Sequence, residues 1–148
     1  MSENCAGKVL QVFISVKNED GITTTVNQDT ITLDEHGVLN DKFHSKDPQR
    51  AILLSSIESY NLAEKEGIEM PYGSLGENIL MDFNPYHMNV GDRLRLGTVI
   101  LEITQNCTLC KGLSKVHAKA PKLLKEHRGI FAKAITNGTL RNEDSVYI

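Results

Sequence analysis

Cysteine is scarce in this chain of 148 residues, which carries only Cys5, Cys107 and Cys110. So small and odd a set excludes a disulfide framework and leaves the thiols reduced. Long apolar runs are missing as well, none approaching the roughly 20 residues of a membrane-spanning helix. The start, Met1-Ser-Glu-Asn-Cys-Ala-Gly7, lacks the basic region and apolar stretch of a secretory signal, so a cytoplasmic location is expected. Low-complexity tracts, internal repeats and linkers rich in Pro, Gly or Ser are absent, which excludes a disordered chain and predicts one domain over residues 1–148. Nor does any glycine loop run into the Gly-Lys-Ser/Thr of a phosphate loop.

What is present is a charge imbalance. The chain has a net charge of -3, yet residues 111–133 hold six lysines and Arg128 against Glu126 alone, so that segment carries +6 and the rest -9. A local anion site fits this distribution better than a surface for coating nucleic acid. A solvated lysine-rich helix face has the same spacing. Directly before the basic run stands Thr104-Gln-Asn-Cys-Thr-Leu-Cys110. Thr108 is positioned to cap a helix that starts near Leu109, which puts Cys110 in a first turn where free N–H groups and nearby cations favour a thiolate.

The rest of the chain reads as short strands. Lys8–Val16, Ile22–Val26 and Asp29–Leu33 are β-branched or alternate at period two, with Asn18-Glu-Asp-Gly21 as a turn. Residues 37–46 are polar and loop-like, and Gln49–Ser55 returns to burial. Ser55 or Ser56 caps a helix over Ile57–Glu66, which Gly67 stops. Further strands are expected over Asn78–Phe83, Arg93–Leu96, Thr98–Ile103, Gly129–Thr136 and Ser145–Ile148, with two short helices after Cys110 broken at Pro121. Many strands and few helices predict a mainly β protein with a distorted, partly closed barrel.

Three groups of residues invite chemistry. Gly73-Ser-Leu-Gly-Glu-Asn78 places a carboxylate and an amide, Glu77 and Asn78, behind a glycine loop, and Asp41-Lys-Phe-His44 supplies an acid and a base. Cys107-Thr-Leu-Cys110 has three readings: a redox pair, half of a zinc site completed by His117, His127 or Cys5, or a single functional thiol at Cys110.

These segments, in this order, resemble the MOSC domain, found at the C-terminus of molybdenum-cofactor sulfurases and as small stand-alone bacterial proteins. The resemblance rests on Gly37 to His44, Gln49-Arg-Ala-Ile-Leu-Leu54, Gly73-Ser-Leu-Gly-Glu-Asn-Ile79, Val90-Gly-Asp-Arg-Leu-Arg-Leu-Gly97, Thr104 to Cys110 and Arg128-Gly-Ile-Phe-Ala132. It implies a distorted β-barrel and a role for Cys110 as persulfide carrier or as ligand to molybdenum in a bound molybdopterin cofactor. His44, Arg50, Glu77, Asn78, Lys111, Lys115 and Arg128 then become the candidate cofactor-binding residues. Two departures stand out: the family often has Gly-Asp where this chain has Asn40-Asp41, and a proline where it has Leu109. Neither the pyridoxal-phosphate desulfurase domain nor the N-terminal barrel of larger members is in this sequence, so a separate cysteine-desulfurase-type sulfur donor or a reductase is implied. If the protein is an enzyme, sulfur transfer or molybdenum-dependent reduction of N-hydroxylated compounds is the implied reaction. The rival readings are a non-catalytic regulatory module that binds a partner through its basic face, and a zinc protein using Cys107 and Cys110.

Overall fold

In the computed structural model, residues 4–106, 124 and 128–148 are described. The first strand, β1, is long, running from Cys5 to Lys17, and its length lets it serve three neighbours. Its start pairs with β11 (Ser145–Tyr147), its middle with β6 (Ile79–Met81), and its second half with β2 (Thr23–Gln28). The β1–β2 turn is built as its composition predicts: Asn18 Oδ1 accepts the N–H groups of Asp20 and Ile22 at 3.0 and 2.9 Å, and Gly21 takes the left-handed φ of 79°.

The remaining strands are β3 (Thr30–Asp34), β4 (Gly37–Val38), β5 (Ile52–Ser56), β7 (Arg93–Leu96), β8 (Val99–Asn106), β9 (Ile130–Ala134) and β10 (Gly138–Arg141). The order β11-β7-β8-β9-β5-β6-β1 closes on itself through the β11–β1 pairing, a seven-stranded barrel with β2 added outside β1. All its neighbours are antiparallel except β5 and β6, which run parallel with Leu54 opposite Ile79. The connection between those two carries the helix α1 (Ile57–Lys65). Ser56 caps it in extended conformation, its side chain accepting from the N–H of Glu58, and Gly67 follows at φ 74°.

Period-two alternation sorts the side chains. Ile52 and Leu54, Ile79 and Met81, Leu101 and Ile103, Ile130 and Ala132 fill the barrel, joined by Ile31, Leu33, Val38 and Leu140 of the small sheet β10-β3-β4. A second apolar layer lies outside the barrel, where Phe13, Tyr60, Leu75, Leu80 and Leu124 pack together, and Leu53 and Phe131 form a third cluster. The polar stretch 37–46 differs from its reading as simple loop, since Gly37–Val38 forms β4 against β3. The strand β10, Gly138–Arg141, likewise lies where the sequence reading has no strand. Both have only two to four residues, and their register comes from partners distant in sequence rather than from their own pattern.

Gly129 marks a close approach between β9's entry and β5. Its φ is 137°, and a Cβ there would fall 2.7 Å from Leu53 Cδ1 and 3.1 Å from the Leu54 carbonyl oxygen. Both a left-handed backbone and a steric clash oppose any side chain. Gly129→Ala is expected to destabilise the fold by about 2 kcal/mol or more in urea titrations, and an unchanged midpoint would show that the strand entry relaxes freely.

Candidate functional site

The strand β8 ends at Asn106 and β9 begins at Ile130, and the two residues pair directly. The chain therefore leaves the barrel and rejoins it at one rung of one ladder. A register shift between Ile103 and Gln105 marks a bulge at Thr104, whose hydroxyl donates to the Gln49 carbonyl, while Gln105 Nε2 reaches the same oxygen at 3.4 Å. A bulge turns the strand end and re-aims the residues that follow. Cys107, Cys110, Lys111 and Lys115 lie outside the described residues, as do His117 and His127 and the helices expected after Cys110. Leu124, within the same excursion, is fully buried in the layer around Tyr60 and Phe13.

The start of β5 forms the hub beside this exit. Leu53 pairs with Phe131 on one side and is bracketed by Asn78 on the other. Arg50, exposed, holds its guanidinium 5.0 Å from the centre of the Phe131 ring. This stacking places a cation against the apolar floor made by Leu53 and Phe131, where weak guanidinium hydration makes the arrangement favourable. Arg128 is half-buried immediately before Gly129, where the chain returns to β9.

Asn78 is buried and bonded throughout. Its Oδ1 accepts the Leu53 N–H at 3.0 Å, and its Nδ2 donates to the Phe13 carbonyl at 3.3 Å and to Asp41 Oδ1 at 2.9 Å. Its backbone N–H donates to the Leu53 carbonyl and its carbonyl accepts from Phe13. Asp41 in turn accepts from the Ser15 N–H at 2.6 Å and the Phe43 N–H at 2.9 Å. Asn40 beside it has a φ of 69°, a left-handed position where the family's frequent glycine is the easiest residue and asparagine among the next best.

His44 sits in the same loop, near Ala51, because a Cβ on Gly37 would lie 3.1 Å from Ala51 Cβ and 3.7 Å from His44 Cα. Its Nε2 lies 2.9 and 3.0 Å from the two Asp34 carboxylate oxygens, and its Nδ1 lies 3.1 Å from Ser45 Oγ. Burial pushes the Asp34 carboxyl upward, but hydrogen bonds from His44 and the His36 backbone outweigh it, and Asp34 ends below its ordinary value.

Glu77 faces a different compartment. It is fully buried, its Oε2 accepting from Ser55 Oγ at 2.6 Å and from the Tyr60 hydroxyl, while Oε1 has no partner among the described residues. Burial dominates and holds its carboxyl above the ordinary value, against the opposing hydroxyl hydrogen bonds. Desolvation, reinforced by the Glu77 charge, also raises the Tyr60 phenol. Thus His44, Arg50, Asn78 and Arg128 gather around the start of β5, whereas Glu77 lies under α1. The Tyr60–Glu77 and Asn78–Asp41 partnerships are not evident in the sequence, because 17 and 37 residues separate the partners. A surface hollow of about 600 Å3 lies beyond Tyr60, bordered by Glu64, Glu69 and Tyr72, at the opposite end of α1 from its Ser56 cap. Arg50 and Arg128 take no part in its lining.

The family model described as the MOSC domain matches residues 40–147, a range that holds the whole Asp41–Asn78 clamp and both edges of the excursion. The chain belongs to the MOSC domain family. Among solved structures, the YuaD protein from Bacillus subtilis has 19% identity and a TM-score of 0.79, covering 95% of this chain and 94% of that one. YiiM from Geobacillus stearothermophilus has 16% identity and a TM-score of 0.72, with 96% and 75% coverage, and YiiM from Escherichia coli 16% and 0.68, with 95% and 69%. At such identities the likeness is one of fold, and the MOSC barrel is that fold. No curated protein matches the chain. Among the described residues no helix is long and apolar enough to cross a membrane, and no group of three or more His, Cys, Asp or Glu is arranged to hold a metal ion.

Two outcomes follow from this MOSC site. Asn78→Ala strands the buried Leu53 N–H and removes one of the two donors to Asp41 Oδ1, so a loss of about 3 kcal/mol in chemical unfolding is expected, and a loss below the error of the titration would remove Asn78 from its bracing role. Because the folded Glu77 pKa lies above its unfolded value of 4.5, its contribution is fully present below that pH and is lost as pH rises through the folded pKa. Wild type should therefore lose stability relative to Glu77→Gln above pH 4.5, with a slope of at most about 1.4 kcal/mol per pH unit; parallel stability curves for the two proteins would contradict the raised pKa.

Proposed function

We propose that this MOSC protein binds the molybdenum cofactor, or a related anionic pterin, at the opening between Asn106 and Gly129, and carries sulfur on Cys110 or ligates the metal with it. The observation that carries the reading is the convergence of Arg50, stacked on Phe131, with the exit toward Cys110 at the paired rung Asn106–Ile130. In sequence Cys110 follows Asn106 by four residues, with Lys111 and Lys115 directly after it.

The residues present suit such a group. A phosphate-bearing pterin wants cations and an apolar floor, which Arg50, Arg128, Leu53 and Phe131 supply. The negative charge that would oppose an anion is spent elsewhere: Asp41 is saturated by three N–H donors, and Glu77 is enclosed behind Ser55 and Tyr60 with its ionised form disfavoured. Asn78 fixes the hub on which the opening is built, and His44, oriented by Asp34, borders the start of β5. When bound, the cofactor would supply a metal centre able to move electrons and oxygen atoms.

The chain's own chemistry in this reading is that of a thiolate. Cations beside a thiol favour the thiolate that attacks, and Lys111 and Lys115 follow Cys110 in sequence. The Cys110 sulfur attacks the outer sulfur of a donor persulfide, a new S–S bond forms, and the donor cysteine leaves as its thiolate. The donor is a separate protein of the cysteine-desulfurase type. Zinc binding and a purely electrostatic partner surface draw no specific support from the described residues.

Cys110→Ser is expected to abolish persulfide labelling and molybdenum retention while Cys107→Ser keeps both, measured by mass spectrometry of alkylated protein and elemental analysis. Retention and labelling unchanged in Cys110→Ser would end this reading. Arg50→Ala should weaken pterin retention about five- to tenfold, the scale of one charge-assisted contact.

A further inference from the structure

The strand β2 has a partner on one side only. It hydrogen-bonds to β1, with Ile14 opposite Val26 and Lys17 opposite Thr23, and stands at the end of the sheet order. Its other edge meets no strand among the described residues. Natural proteins guard such an edge with lysine, proline, a bulge or a covering segment. Here the run Ile22-Thr-Thr-Thr-Val-Asn-Gln28 has neither a charge nor a proline, and its pairing with β1 is unbroken from Val12 to Lys17. Ile22 and Val26 are exposed by 57% and 39%.

We propose that β2 pairs antiparallel with β2 of a second copy of this chain, about a two-fold axis beside Thr25. The pleat restricts the choice of register. Residues opposite each other across a two-fold normal to the sheet must share a face, so the axis passes beside a residue and not between two. An axis at Thr25 sets Thr24 of each copy opposite Val26 of the other, with Thr23 opposite Asn27 and Ile22 opposite Gln28.

Both faces of the joined sheet are then complementary. On one face Val26, Thr24 and Ile22 of the two copies form a continuous patch across the axis, covering two of the large apolar side chains that the single chain exposes. On the other face lie Thr23, Thr25 and Asn27, and Asp29 follows at the bend that ends the strand. Lys42 Nζ is held at 2.7 Å from Thr23 Oγ1 and sits 5.2 Å from the Phe43 ring centre, with no carboxylate partner among the described residues. In this register the second copy's Asp29, one residue past the end of its β2, comes diagonal to Thr23, beside which Lys42 Nζ is held. Two Lys42–Asp29 pairs form by symmetry, and no like charges meet along the strand. Electrostatic complementarity selects a second copy over an unrelated strand, because cation and anion stand at opposite ends of one edge.

Sedimentation equilibrium of the full chain, from micromolar to about 200 micromolar, tests this pairing. Wild type is expected to sediment as a dimer at the upper concentrations. Val26→Lys places two cations near the axis and should weaken association by about tenfold or more, with circular dichroism confirming the fold. Should that variant not fold, the exposed charge swap decides: Asp29→Lys and Lys42→Asp singly weaken the dimer, and the double variant restores it. A wild type that stays monomeric throughout the range overturns the proposal. So does a dimer indifferent to Val26→Lys, or a double variant no tighter than the singles.

Discussion

The amide of Asn78 brings β1, the start of β5 and the Asp41 loop together at one point. Through side chain and backbone it occupies the N–H and C=O of Leu53 and of Phe13, and its Nδ2 also satisfies Asp41, which in turn binds Ser15. At this point β6 has not yet begun and β1 has passed beyond its partner, so backbone groups would otherwise be buried without a ladder. One side chain supplies the missing ladder. An apolar residue of equal volume would leave the same gap with buried polar atoms on both sides of it.

The bracing separates two environments that adjoin in sequence. Glu77 turns under α1, where burial disfavours its charge, while Asn78 secures the start of β5, beside which Arg50 rests on Phe131. The Glu77 carboxyl and the Arg50 guanidinium thus stand in different surroundings, each with its own partners. The Glu77 carboxyl instead joins Ser55 and Tyr60, linking the barrel to the helix that covers it. That helix also contributes Tyr60 to the layer in which Leu124 is buried.

Much of this was legible in the residues themselves. The alternation in Arg93–Leu96 and the apolar runs of β1 and β8 announce strands because burial on one or both faces leaves a local pattern. The cap at Ser56 and the stop near Gly67 are local too, since their chemistry acts within one turn. The strands β4 and β10 left no such trace, being defined by partners rather than by composition. Around the candidate site, Glu77, Asn78, His44 and Arg50 stand out as polar groups near glycines and strand ends. That Glu77 faces Tyr60 while Asn78 faces Asp41 follows only from how the sheet closes.

Closure itself has a consequence of parity. Around a ring in which every neighbour is antiparallel, chain direction alternates, so the number of strands must be even. Seven strands therefore compel at least one parallel contact, and here it is β5 against β6. A parallel contact cannot be joined by a tight hairpin and requires a crossover. The helix α1 and the loop after it are that crossover, and they deliver Glu77 and Asn78 to their places. An eighth strand in the ring would remove the obligation and, with it, the geometric reason for a helix on that wall.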